Sequence, residues 1–113
     1  MNSNIFDYMH LMLNEAKQAY LLIPDAASSP SINDRAKLHL CLFQRNYDCV
    51  HDLLFNTSEI ENSYKFLDFI EEAPHLKQQI SGELDKRSDN ITNSVAISDE
   101  LDKLYSLIPD QSD

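Results

Sequence analysis

Apolar side chains recur at Ile5, Met9, Met12, Leu13, Ala16, Tyr20 and Ile23. This is the stripe of an amphipathic helix over residues 4–23, with Ser3 or Asn4 as its cap and Pro24 as its stop. Leu11, Leu21 and Leu22 fall off the stripe. A helix with so broad an apolar face is either the centre of a core or half of an interface. Ala26-Ala27-Ser28-Ser29-Pro30 then reads as a loop, and Ser31 or Asn33 as the cap of a second helix reaching Gln44. Ile32, Ala36, Leu40 and Phe43 lie on its inner face. Arg45-Asn46 is the place for a break, because Tyr47, Val50, Leu53, Leu54 and Phe55 open a new apolar pattern.

Further on, Ser58 and Glu61 form a capping box ahead of Ile60, Tyr64, Leu67 and Ile70, a fourth helix closed by Ala73-Pro74. Pro74 suits the first turn of a fifth, which offers Leu76, Ile80 and Leu84 and carries Gly82 inside it. Residues 87–97 read as an internal linker, poor in helix formers. Beyond it Ile97, Leu101, Leu104, Tyr105 and Ile108 make a sharply amphipathic C-terminal helix, capped by Ser98 and closed by Pro109. The pattern therefore predicts an all-α chain, a small bundle or hairpin stack of about five to six helices in a single domain. Tyr-x-Leu-Ile-Pro-Asp occurs at residues 20–25 and again at 105–110, but the lysines upstream are out of step, so it reads as a reused helix stop.

The segment from Leu42 through Gln44-Arg45-Asn46-Tyr47-Asp48 to Val50 adds a resemblance. Within residues 33–56 it resembles a tetratricopeptide-like helical hairpin, as found in small type III secretion chaperones, with Tyr47 at the aromatic position and Val50 at the small one. Arg45 stands where that turn has glycine, and Leu38 where its first helix does. The resemblance implies a tight turn at Arg45-Asn46 and a role in holding another protein. The same stretch reads also as an ordinary helix-turn-helix packing unit.

Composition narrows the function. The chain has 113 residues, 42% of them hydrophobic, enough for one folded core. A single glycine leaves no material for a phosphate loop or a nucleophile elbow. The net charge of −10 is regional: residues 1–47 carry four acids and four bases, residues 48–113 fifteen acids and five bases. That balance argues against direct nucleic-acid binding and against an anionic membrane surface. No basic leader precedes the first apolar stretch, which Asp7, His10 and Asn14 interrupt, and Cys41 and Cys49 suit a reducing compartment, so a cytoplasmic location is expected.

Candidate chemistry is sparse. His39, Cys41, Cys49 and His51 are zinc-competent, but residues two apart on a helix point to opposite sides, so buried thiols beside partly exposed histidines are expected in place of a metal site. Glu71-Glu72 with His75 is the one dense titratable cluster, at a helix boundary where exposed charge is ordinary. Neither catalysis nor a cofactor is expected. The reading that remains is a protein-binding helical module, a chaperone, adaptor or inhibitor, acting through an apolar groove or helix face. Its candidate partner-binding residues are Leu11, Leu21 and Leu22 of the first helix and Leu101, Leu104, Tyr105 and Ile108 of the last, each of which core packing also explains. The alternative is an acidic antagonist or nucleic-acid mimic that binds a basic protein surface. The partner's identity, a homo-oligomeric state and the docking of the last helix on its own chain stay open at this point.

Overall fold

A computed structural model of the protein describes residues 5–56, 64–86 and 94–108. Among these the chain is all-helical and forms four helices: α1 (Ile5–Ala26), α2 (Pro30–Asn56), α3 (Tyr64–Lys86) and α4 (Ser94–Ser106). The expected caps at Ser3 or Asn4, the capping box of Ser58 and Glu61 and the stop at Pro109 lie outside the described residues.

The expected break at Arg45-Asn46 does not occur, and α2 runs straight through it. Neither residue is glycine or proline, and the spacing Leu40, Phe43, Tyr47, Val50, Leu54 carries one inner stripe across the pair. Two interactions of helical register span the site. Asn46 Nδ2 donates to the Leu42 carbonyl at 3.0 Å, and Gln44 Nε2 donates to Asp48 Oδ1 at 3.0 Å. The tight hairpin turn expected within residues 33–56 is therefore absent, and the first hairpin is the one between α1 and α2.

Its turn is short. α1 passes Pro24 and ends at Ala26, which is buried, so packing holds the two residues beyond the expected stop. Ser29, not Ser31 or Asn33, caps α2: its Oγ accepts from the Ile32 amide at 3.3 Å, while Pro30 takes the first helical position, where its missing N–H costs nothing.

Likewise Pro74 does not divide two helices but sits inside α3. A proline there leaves the carbonyl four residues before it, that of Ile70, without its helical donor. The Tyr47 hydroxyl of α2 donates to that oxygen at 2.9 Å. The defect in one helix is thus satisfied by its neighbour, and the contact fixes the register of α2 against α3. Burial, with the Asp48 carboxylate adding to it, raises the Tyr47 phenol above its ordinary pKa, so it stays a donor.

Residues 94–97, expected in the linker, open α4 instead, and Ser98 lies inside the helix. Ile97 is fully buried, so apolar packing extends the helix past the weak formers before it. Residues 87–93 lie outside the described set.

The four helices run up, down, up, down. Glu15 meets His39 across α1 and α2, Gln44 meets Lys77 across α2 and α3, and Tyr20 meets Ser94 across α1 and α4. α1 and α3 also touch, with the Phe6 and Phe66 rings 5.8 Å apart, whereas α2 and α4 do not meet among the described residues. The section is a rhombus closed along its α1–α3 diagonal. α1 and α2 form the most extensive pair because Ala16, Ala19 and Ala36, all fully buried, let the backbones approach. Met9, Met12, Leu13, Phe43, Phe69, Leu76, Ile80, Ile97 and Leu104 fill the middle. At 27 residues α2 is about 40 Å long, which accounts for most of the 47 Å long axis. No described helix is long and apolar enough to cross a membrane.

Candidate functional site

The core stripe of α1 is complete without Leu11, Leu21 and Leu22, and the structure divides those three between two flanks. Leu11 is 49% exposed, Leu22 half-buried, and the pair shares a flank with Glu15 by helical spacing. Glu15 Oε1 lies 2.5 Å from His39 Nδ1, so this flank borders α2. Leu21, 56% exposed, faces the other way, toward α4.

Between α1 and α4 lies a groove of about 140 Å³ whose wall includes Lys17, Tyr20 and Leu21 from one helix and Leu101, Asp102 and Tyr105 from the other. The Tyr20 hydroxyl, 2.8 Å from Ser94 Oγ, ties the two walls at one end. The His10 and Tyr105 rings, 6.3 Å apart, close them at the other. Burial raises the Tyr105 phenol above its ordinary pKa. The result is an apolar floor between a lysine and an aspartate.

Of the seven candidate residues, the groove gathers Leu21, Leu101 and Tyr105. It does not gather Leu11 and Leu22, which lie on the α2 flank. Leu101, Leu104 and Ile108 are buried in the core, so α4 packs on its own chain and these three are not a free surface. Leu101 reaches the groove only as its floor. Other exposed apolar groups were not among these candidates: Leu38, Val95, Phe55, and Leu67, which was expected on the inner stripe of its helix, where Phe66 and Phe69 are buried instead. Phe55 ends a ladder with Tyr47 and His51, whose rings follow at 6.4 and 4.6 Å. Its signal was the spacing of four among the rings of Tyr47, His51 and Phe55, which a pattern of apolar residues alone passes over because histidine is not one of them.

The zinc-competent set is scattered. His39 is held by Glu15, and Cys41 and Cys49, expected to be buried, are both exposed and two helical turns apart on α2. With no hairpin to close, they are not neighbours. Continuity of α2 is the reason for both outcomes.

Glu72 of the Glu71-Glu72-His75 cluster is drawn away to α4. Lys103 Nζ donates to its Oε1 at 3.0 Å, and this hydrogen bond lowers the Glu72 pKa. Glu100 stands beside them with Oε2 buried and accepting no hydrogen bond among the described residues. Its pKa is raised, first by burial and then by the Glu72 charge, with a hydrogen bond to Glu72 adding to the rise and the Lys103 and His75 charges opposing it. A raised carboxyl makes the fold bind the extra proton, so Glu100 lowers stability as pH climbs from the unfolded carboxylate range through its own folded pKa. Glu72 acts oppositely, and its contribution is lost as pH falls through its lowered value. Glu100→Gln is therefore expected to stabilise the protein at pH 7 and not at pH 4, by less than about 1 kcal/mol after screening by solvent. Urea unfolding at both pH values checks it; an equal gain at both would assign the effect to packing instead of charge.

Compared with protein-family models, with curated proteins and with solved structures, the chain matches none.

Proposed function

We propose that the chain is a non-enzymatic protein-binding helical module, a chaperone, adaptor or inhibitor, that takes one apolar side chain of its partner into the groove between α1 and α4. The observation that carries this reading is Leu21: a large apolar group more than half exposed, at the lip of a groove floored by Leu101 and Tyr105. Hot spots of protein interfaces have this composition, an aromatic and aliphatic floor inside a polar rim, here Lys17 and Asp102. Leu11 and Leu22 on the α2 flank extend the apolar outer face of α1.

Leu21→Asp is expected to fold like the parent and to weaken the complex by about 2 kcal/mol, roughly thirtyfold in affinity. Affinity capture from the native host, run side by side with parent, Leu21→Asp and Leu11→Asp, reads the result. A protein retained by the parent and lost with Leu21→Asp supports the groove. Identical capture by all three forms would end the proposal. Capture that collapses as salt rises, regardless of Leu21, would favour the acidic-antagonist alternative, since a complex held by an apolar groove withstands salt.

A further inference from the structure

The rings of Tyr47, His51 and Phe55 follow one another along the α3 flank of α2, 6.4 and then 4.6 Å apart. Tyr47 is tied to α3 through its hydroxyl, whereas Phe55 at the far end is 55% exposed. Because α2 and α3 run antiparallel, the turns of α2 beyond Tyr47 lie across from the turn of α3 before Ile70, and there Leu67 is 41% exposed. Leu67 stands two helical turns before Pro74, and so shares the flank on which Pro74 lines a hollow with Gln44 of α2. Carboxylates are interleaved with the rings. Asp52 lies three residues before Phe55, a neighbour on the helix surface, and Asp48 lies one turn before Asp52. Both are exposed, and neither pairs with a base among the described residues; Asp48 accepts from the neutral Gln44 amide.

We propose that this face binds an arginine-bearing segment of another protein. One guanidinium lies flat on the Phe55 ring and donates to the Asp52 carboxylate, and a second base one helical turn along the segment reaches Asp48. A cation within about 6 Å of an aromatic face is attracted to it. Arginine is planar and carries a fork of donors, so it stacks on a ring and pairs with a carboxylate at once, which the compact ammonium of lysine does not. Its methylene stem takes apolar cover from Leu67. An aliphatic anchor fits worse: over Phe55 it would strip water from Asp52 and return no hydrogen bond. Nucleic acid fits worse still, because its phosphates would meet both carboxylates. The face belongs to α2 and α3 and the groove to α1 and α4, so the two sites fill independently.

The probe is a short alanine-based peptide with two arginines one helical turn apart, titrated into the full chain and followed by NMR of the backbone amides and the Phe55 ring. Saturable shifts centred on His51, Asp52 and Phe55 are expected. Phe55→Leu keeps an apolar side chain and removes the ring, Asp52→Asn removes the charge, and each should weaken binding roughly fivefold. Both positions are exposed, so both variants should keep the parent's circular dichroism. Citrulline in place of the arginines keeps their shape without the charge and should bind at least about tenfold more weakly. Leu21→Asp should bind the peptide like the parent. A lysine or leucine counterpart binding as tightly as the arginine peptide would overturn the assignment of arginine. Full affinity for Phe55→Leu, shifts spread evenly over the acidic surface, or no saturable binding to the parent would overturn the site.

Discussion

Leu104→Asp is expected to remove the cooperative thermal unfolding transition of the protein altogether. Leu104 is fully buried on α4, the helix that packs against both α1 and α3. Truncating such a residue to alanine costs about 2 to 5 kcal/mol through lost burial and the cavity left behind. An aspartate adds an unpaired carboxylate in an apolar setting, a penalty of several more kcal/mol even after the group protonates or finds water. A domain of this size has about 5 to 15 kcal/mol of stability in all, so the two costs together rival the total. Circular dichroism melts of three variants separate the terms. Leu104→Ala should melt cooperatively at a lower temperature, Leu104→Asp should show no transition, and Leu21→Asp should melt like the parent. A Leu104→Asp protein that melts like the parent would mean that α4 is not part of the core, and would return its apolar stripe to the interface reading.

That experiment bears on a distinction which the amino-acid pattern leaves open. The stripe Ile97, Leu101, Leu104, continued by Ile108 just past the helix, shows that α4 has an apolar face, and an amphipathic face reads the same whether its own chain or another covers it. Only the packing of α1 and α3 against it decides. For α1 the pattern says more: every residue on the stripe except the half-buried Tyr20 is buried, and two of the three that fall off it, Leu11 and Leu21, are about half exposed. What periodicity cannot supply is their separation onto two flanks, because that depends on where α2 and α4 stand around α1. The α1–α4 groove and the α2–α3 face lie one step further from the sequence. Each is formed by two helices whose register is set by contacts between residues far apart in the chain, such as Tyr20 with Ser94 and Lys77 with Gln44.

The helix count fails in an instructive way. All-helical architecture is legible because it rests on many residues at once. The number of helices rests on single punctuation marks, and two of these mislead. A polar pair such as Arg45-Asn46 has no power to break a helix whose inner stripe continues past it. Proline does have that power, yet Pro74 lies inside α3 because a residue on another helix makes good the bond it forfeits.

This makes Tyr47 and Pro74 an energetically coupled pair, and Tyr47→Phe is expected to cost about 1 to 3 kcal/mol. The phenyl ring preserves the packing while the Ile70 carbonyl loses its donor, and an unsatisfied carbonyl costs more than the net worth of the bond it made. The cost should depend on Pro74. Alanine at that position restores a backbone N–H aimed at the same carbonyl, so Pro74→Ala supplies internally what Tyr47 supplies from α2. In the Pro74→Ala background, Tyr47→Phe should therefore cost less than about 1 kcal/mol, and the double-mutant cycle should return a coupling of about 1 kcal/mol or more. Urea unfolding of the four proteins measures it. Additive effects would show that the hydroxyl stabilises α2 against α3 without regard to the proline. Coupling of the expected sign would establish that a residue 27 positions away along the chain allows α3 to pass through Pro74 unbroken, and it would explain why the rule that proline ends a helix fails at Pro74.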